Sequence, residues 1–293
     1  MRLVLLLSAC LLAAPAFAGV CPPAGHTAAS LQALKARQFA LPDAAEKQAL
    51  AAGLIGCLSA SDPELRDGIA FEALSQWMRA GDFDANALRA MRDSLYATLG
   101  SEDGPGFGPP FAALVLSEVA RTDRIKAWMT PQERAAMVER AAAYVESVRD
   151  YRGYIEGQGW RHGVAHGADW LMQLSLNPAL ERAQYERILA AIASQAVPGN
   201  GHAYVFGESE RLARPLLFTA QRGLLSAEDW QAWFAALSAK VGKLDRADYA
   251  GWLGRRHDLT AFLSGLYVQA DQSEDAAIKA LKPAILAALK QAP

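Results

Sequence analysis

The feature that most constrains the fold is a helical spacing of apolar residues that recurs through most of the chain. Leu65, Ile69, Leu74 and Met78, for example, lie four or five positions apart and would share one face of a helix. Residues that favour strands are few beside Ala and Leu, and no sustained alternation of apolar and polar residues occurs. The sequence therefore predicts an all-α protein.

Helix-starting residues divide this pattern into segments. Thr27 and the pair Pro42–Asp43 suit the first turn of a helix, and Thr130 with Glu133 forms a capping box. Segments of ~12–20 residues joined by short polar turns allow about a dozen helices. Successive antiparallel pairs of this size predict an αα-hairpin superhelix, either a HEAT- or armadillo-like solenoid or a closed helical toroid.

No shift in composition divides the chain after its first residues. Apolar residues make up 52% of the sequence and charged residues 20%, a balance that allows a sizeable core. We therefore expect residues 19–293 to form a single all-helical domain. A Gly- and Pro-rich run at residues 101–110 is the clearest loop and the candidate for an internal hinge.

The first 18 residues have the pattern of a secretory signal peptide. Arg2 precedes the apolar run Leu3–Ala14, and the small-x-small sequence Ala16–Ala18 predicts cleavage after Ala18. A lipid anchor at Cys10 is the weaker alternative, because few residues precede it and the apolar run continues past it; a buried first helix is another. No later apolar run reaches the roughly 18 residues of a membrane span. The sequence thus predicts an exported, periplasmic protein without a transmembrane span.

Two cysteines remain after such cleavage, Cys21 and Cys57. An oxidising compartment favours a disulfide between them, whereas two buried thiols are the alternative. The bridge would join the new N-terminus to the second predicted helix and stabilise the fold by roughly 3–4 kcal/mol.

One predicted helix, beginning near Gly159, carries a narrow polar stripe. At about 100° per residue, His162, His166, Asp169 and Gln173 fall on one face, while apolar residues cover the rest. His166 oriented by Asp169 could act as a general base, which makes His162, His166 and Asp169 the candidate catalytic residues. The sequence predicts no cofactor, and the alternative is that the same three residues ligate a metal ion, although no HExxH motif is present. Hydrogen bonding between packed helices is the structural alternative.

Several polar and aromatic residues near this helix or later in the chain are candidates for ligand binding. Three lie in a loop whose glycines suggest unusual backbone angles or close approach, and four lie further along the chain. In order, these residues are Arg152, Glu156, Trp160, His202, Glu208, Arg211 and His257. Such a set would suit an anionic or polyhydroxylated ligand on a concave face.

The charge pattern restricts the partners. The formal net charge is −2, and no block of like charges occurs. Nucleic-acid binding is not expected, because it requires a basic stripe. A small polar ligand or a protein partner remains, with neither identified by the sequence.

Residues 150–169, DYRGYIEGQGWRHGVAHGAD, resemble the bacterial domain-of-unknown-function 2785 family. Three further segments fit the same family: Asp62–Asp67, Gly207–Ala213 and Ala261–Tyr267. The resemblance spans about residues 30–270 and implies an all-helical, repeat-like fold, but no activity. The chain departs from the family at residues 109–112, where Pro-Pro-Phe-Ala replaces an Arg-Ser-Phe-like run.

Three functions are consistent with these observations. The first is an exported helical-repeat protein whose His/Asp/Arg/Glu pocket binds, or hydrolyses, a polar ligand. The second is a non-catalytic periplasmic scaffold in which the same groups are structural. The third is a metal-dependent hydrolase.

Overall fold

The computed structural model describes residues 20–101, 104–199 and 201–293. The predicted signal peptide, its cleavage site after Ala18 and the alternative anchor at Cys10 lie outside the described residues. None of the described helices combines the length and apolarity needed to cross a membrane.

Helices account for 68% of the chain, which confirms the all-α class and the expectation of about a dozen helices. The elements are α1 (Ala28–Ala36), α2 (Ala44–Cys57), a π-helical segment (Glu64–Phe71), α3 (Glu72–Ala80), α4 (Ala85–Leu99), α5 (Gly108–Ile125), α6 (Pro131–Ser147), β1 (Tyr154–Ile155), β2 (Gly159–Trp160), α7 (Gly163–Ser175), α8 (Arg182–Ala196), α9 (Glu208–Ala220), α10 (Ala227–Ala239), α11 (Tyr249–Gln272), α12 (Ala276–Lys279) and α13 (Lys282–Gln291).

Most caps agree with the sequence. Thr27 and Thr130 each form a reciprocal capping box, and Asp43 accepts a hydrogen bond from the backbone of Glu46. Helix α5 begins at Gly108, inside the Gly- and Pro-rich run at residues 101–110 that was expected to be a loop. Its first turn accommodates Pro109 and Pro110 because the amides there need no partner within the helix.

Helix α11 begins at Tyr249, capped by the Asp248 carboxylate, and continues without a break through the polar run at residues 255–258. Gly254 allows this continuation, because a Cβ there would lie 2.5 Å from the carbonyl oxygen of Gly201. A polar sequence within a helix resembles a turn when one side of the helix faces water.

The helices pack in two alternating series. Helices α3, α5, α7, α9 and α11 contact one another in that order, while α2 packs on α4 and α6 on α8. Each series is joined to the other by neighbouring pairs such as α4–α5, α6–α7 and α8–α9. Helix α7 thus lies between α5 and α9, which determines what its polar stripe can reach. The solenoid or toroid form and the single-domain organisation stay predictions.

The Cys21–Cys57 disulfide is formed, as predicted. Cys57 is the last residue of α2 and is fully buried, so the bridge attaches the segment before α1 to the core. The indole of Trp77 adds a second attachment, because its Nε1 donates to the carbonyl of Phe39 after α1.

Candidate functional site

His162 immediately precedes α7 and connects it to the β-hairpin. Its φ of 57° lies in the left-handed region, where only a minority of non-glycine residues are found. Its amide donates to the carbonyl of Arg152 at 3.1 Å, and its ring stacks on Trp160 with centroids 4.6 Å apart. The backbone turn therefore directs the imidazole beneath the hairpin.

The hydrogen bond of the His162 ring defines its tautomer. Nε2 lies 3.1 Å from the carbonyl oxygen of Phe206, and because a carbonyl can only accept, Nε2 must carry the proton. The nearest carboxylate oxygen belongs to buried Glu208, 3.8 Å from the same nitrogen. Burial, with a smaller contribution from the Arg211 charge, lowers the pKa of His162 to about 4. The ring is neutral at pH 7.

His166 lies one turn further along α7 and is packed against α5. Its Nδ1 donates to the carbonyl of Pro110 at 3.2 Å, and its ring meets the edge of Phe111 with centroids 5.1 Å apart. Burial, followed by repulsion from His162 and Arg211, lowers its pKa to about 3. This side chain is 6% exposed and also neutral at pH 7.

Asp169 is engaged by α9 and not by His166. Arg211 donates to its two carboxylate oxygens, through Nε at 2.8 Å and through Nη2. Burial raises the pKa of Asp169 above its usual value, although the Arg211 guanidinium opposes this shift. The predicted orientation of His166 by Asp169 is wrong, since the Pro110 carbonyl orients the ring.

The predicted metal set of His162, His166 and Asp169 is likewise not assembled. Within the described ranges, no group of three or more His, Cys, Asp or Glu side chains is arranged to hold a metal ion. The Asp169 carboxylate pairs with Arg211, and each imidazole uses one N–H to donate to a backbone carbonyl.

The structure brings three of the predicted ligand-binding residues to the stripe and leaves others elsewhere. Trp160, Glu208 and Arg211 contact or closely approach it. Arg152 lies on the outside of the hairpin, where it is half-exposed and pairs with Asp150, and Glu156 is exposed at the hairpin turn.

The two remaining candidates belong to another neighbourhood. The ring of His202 stacks on Tyr151, with centroids 4.8 Å apart and planes 14° apart. His257 is exposed on α11, whereas the adjacent Asp258 is fully buried and accepts from the Tyr204 amide at 2.9 Å.

Sequence reasoning missed an exposed aromatic cluster above His162. The ring of Trp160 contacts those of Tyr154 and Phe206, with centroids 5.3 and 5.9 Å away. These three residues are 43% (Tyr154), 37% (Trp160) and 38% (Phe206) exposed, and we call them the aromatic platform. The glycine at position 153 is the sequence feature that points to this cluster. A Cβ there would lie 2.1 Å from the Phe206 ring, so only glycine lets the ring pack this closely.

The turn of the hairpin rests on buried charge that the sequence did not reveal. Arg66 of the π-helical segment is fully buried and donates to the carbonyls of Ala60 and Gln158, each at 2.8 Å. Its guanidinium lies 3.8 Å from the Phe107 ring centroid, and that of Arg161 lies 4.2 Å from the same centroid. The hairpin turn is therefore fixed to the N-terminal helices.

Comparison with known proteins gives a family and no activity. No curated protein and no solved structure matches the chain. A family model described as "Protein of unknown function (DUF2785)" matches residues 95–268, more than half of the sequence. The match covers the hairpin, α7 and α9, although it begins after the Asp62–Asp67 segment that also resembles the family. The chain therefore belongs to the DUF2785 family of proteins of unknown function.

Proposed function

We propose that the protein is a non-catalytic binding protein, and that its aromatic platform holds a polyhydroxylated ligand. The observation that carries this proposal is the exposure of three aromatic rings, of which Trp160 contacts the other two. Exposed apolar surface of this kind is uncommon unless a ligand or partner covers it. Flat rings can stack on the C–H faces of a sugar-like molecule, while neighbouring polar groups bond its hydroxyls.

The polar groups around the platform favour a neutral ligand. Arg152 is already paired with Asp150, and Glu156 at the hairpin turn is acidic. The His162 ring supports Trp160 from below, and its neutral form adds no charge at pH 7. Among Asp150, Arg152, Glu156 and His162, the only cation at pH 7 is Arg152, and it is already paired with Asp150. These groups therefore offer little attraction to an anion.

Binding is preferred to catalysis because the polar stripe is engaged internally. His162 and His166 each donate to a main-chain carbonyl, and Asp169 is held by Arg211. A general base must reach the proton that it removes, and His166 is 6% exposed. The same contacts also favour the second candidate, a non-catalytic scaffold. In that case a protein partner would bind the platform in place of a small ligand.

Export is part of the proposal. The signal-peptide pattern of residues 1–18 and the Cys21–Cys57 disulfide support an oxidising compartment such as the periplasm. Expression in a bacterial host followed by mass spectrometry of the cell fractions tests it. We expect a periplasmic chain beginning at Gly19; a chain retained in the cytoplasm with residues 1–18 intact would contradict export.

Binding is tested by titrating the protein with maltohexaose, cellohexaose and chitohexaose while following tryptophan fluorescence. We expect at least one to bind, and Trp160→Ala to weaken that binding about tenfold or more, as loss of a central aromatic contact does. Tyr249→Ala is the matched control, because Tyr249 is also an exposed stacked ring but lies on α11. Equal affinity of both variants, or no binding by the wild type, would contradict the proposal.

A further inference from the structure

The C-terminal end of α7 lies beside two arginines that form no ion pair with a carboxylate of the described residues. Arg124 of α5 donates from Nε to the side-chain oxygen of Gln173, at 3.3 Å. Arg222, just after α9, donates from Nη2 to the carbonyl of Leu176, also at 3.3 Å. Gln173 and Leu176 are three residues apart, so the two guanidinium groups are attached to neighbouring positions on one turn.

A third arginine lies on the same face. Arg121 precedes Arg124 by three residues on α5, a spacing that places both side chains on one side of the helix. Burial lowers the pKa of Arg124 below its usual value; repulsion from Arg121 and, more weakly, from Arg222 acts in the same direction, while attraction to Glu118 opposes it. Arginine stays charged even so, which means that the fold holds three positive charges together at a cost.

Nearby arginines on the same series of helices are compensated. Arg79 donates to both carboxylate oxygens of Glu118, Arg211 to those of Asp169, and Arg214 pairs with Glu210. Among the described residues, no such ion pair is formed by Arg121, Arg124 or Arg222.

The charge of this face therefore differs from that of the chain. Six arginines interact across α3, α5, α7 and α9 with three carboxylates. These residues are Arg79, Arg121, Arg124, Arg211, Arg214 and Arg222, with Glu118, Asp169 and Glu210. The network has an excess of positive charge in a protein whose formal net charge is −2.

An unmet hydrogen-bond donor accompanies the excess charge. The Nε of Arg222 is buried and has no acceptor among the described residues. A buried donor without an acceptor is unfavourable, and native proteins rarely retain one unless a ligand, an ion or water satisfies it.

We propose that Arg121, Arg124 and Arg222 form a binding site for a phosphate-like oxyanion. Two guanidinium forks can donate several N–H groups to the oxygens of one anion, which would also offset the mutual repulsion of the three charges. The Gln173 amide lies beside Arg124 and can donate its NH₂ to the same anion. The site is independent of the aromatic platform, which adjoins the other end of α7.

Calorimetric titration with inorganic pyrophosphate at low ionic strength tests the site. We expect the wild type to bind, and the double variant Arg121→Gln/Arg124→Gln to bind about tenfold or more weakly, because charge-assisted hydrogen bonds are lost. The matched control is Arg37→Gln/Arg246→Gln, which removes two exposed arginines and the same net charge. Equal weakening by both double variants, or no binding by the wild type, would overturn the proposal.

A second variant covers the case in which the double variant does not fold. Arg124→Lys keeps the charge but removes the planar fork, so we expect pyrophosphate affinity between those of the wild type and of Arg121→Gln/Arg124→Gln. Circular dichroism verifies the fold of each protein. Wild-type affinity in a folded Arg124→Lys protein would show that charge alone attracts the anion and would overturn the site.

The phosphate group could belong to a free molecule or to a lipid headgroup. Sedimentation with vesicles of phosphatidylglycerol and phosphatidylcholine, compared with phosphatidylcholine alone, distinguishes these sources. Pyrophosphate binding without sedimentation identifies a free oxyanion. Sedimentation that requires phosphatidylglycerol and is lost in Arg121→Gln/Arg124→Gln identifies a headgroup, and sedimentation unaffected by that double variant speaks against the site.

Discussion

Polar side chains gather at both ends of α7, but their partners differ. Near its start, His162, His166 and Asp169 are buried, and each has a partner from α5, α9 or the loop before α9. Near its end, Arg124 donates to Gln173 and Arg222 donates to the Leu176 carbonyl, and neither forms an ion pair within the described ranges.

The difference shows what makes a polar group available to a ligand. The first set is satisfied by the protein itself, so a ligand would have to displace existing hydrogen bonds. The second set has charge left over, which an external anion can neutralise. Polar character alone does not distinguish a binding site from a structural network. The distinction depends on whether each charge and hydrogen-bonding group already has a partner within the protein.

The largest expected effect is the loss of stability in acid at the start of α7. The pKa values of His162 and His166 are lowered to about 4 and 3 by burial. Their neutral forms stabilise the fold fully above the unfolded pKa near 6.5, and this contribution is lost as pH falls towards 4 and 3. Between pH 7 and pH 4 the free energy of unfolding should decrease by about 5 kcal/mol.

Urea unfolding at several pH values measures this loss. His166→Asn keeps a side-chain N–H for the Pro110 carbonyl but does not titrate, so its unfolding free energy should fall less steeply below pH 6.5. His257→Asn, at an exposed position, is the control and should keep the wild-type slope. An unchanged slope in His166→Asn would mean that the buried ring does not resist protonation.

The next effect comes from breaking the Asp169–Arg211 pair. Asp169→Ala leaves a guanidinium without its carboxylate between packed helices, and we expect a loss of about 3 kcal/mol in unfolding free energy. Glu210→Gln removes an exposed carboxylate that pairs with Arg214, and it should cost at most about 0.5 kcal/mol. Similar losses in both variants would remove the distinction between buried and exposed pairs on α9 and α7.

Asp258 sharpens the contrast, because it is a buried carboxyl that forms no ion pair with an arginine of the described residues. Burial raises its pKa to about 6, and its Oδ2 has no hydrogen-bond partner in the described part of the chain. Its protonated form therefore stabilises the fold below the unfolded pKa near 4, and this contribution is lost as pH rises through 6.

Asp258→Asn should remove that pH dependence. We expect the variant to exceed the wild type by about 2–3 kcal/mol in unfolding free energy at pH 7.5, with little difference at pH 4. Glu274→Gln, at a highly exposed position, should change neither value. Destabilisation by Asp258→Asn at pH 7.5 would show that the ionised carboxylate has a favourable partner.

The smallest effect is expected at the arginines themselves. Arg124→Gln relieves repulsion from Arg121 and Arg222, so at low salt the variant should gain about 0.5 kcal/mol. Arg79→Gln is the matched comparison, because it breaks the pair with Glu118 and should lose a similar amount. Thermal unfolding at low and high salt measures both, and destabilisation by Arg124→Gln would show that its positive charge is already compensated.

A helical period indicates that His166, Asp169 and Gln173 share one face of α7. The predicted helix start near Gly159 is wrong, because residues 159–160 form β2 and α7 begins at Gly163, after His162.

The helical period does not encode the partners of these side chains, since Pro110 is 56 residues from His166 and Arg211 is 42 residues from Asp169. The choice of the Pro110 carbonyl over Asp169 as the partner of His166 depends on how α5 packs on α7. Periodicity carries no information about that packing.

The hairpin before α7 was predicted only in part. Its glycines indicated close approach, and Gly153 and Gly159 do lie against Phe206 and Arg66. The identity of those neighbours could not be derived, because a buried arginine such as Arg66 has the sequence signature of an exposed one. The disulfide was predictable because it follows from compartment and cysteine count more than from packing.

Arg66 also affects where the protein can be divided. The family match begins at Leu95, yet the turn of the hairpin inside that match gives its Gln158 carbonyl to Arg66, 92 residues earlier. A fragment cut at the start of the match would lose that guanidinium, together with the packing of α3 on α5. We therefore expect the smallest piece that folds independently to begin before the π-helical segment, so the region matched by the family model is shorter than the folding unit.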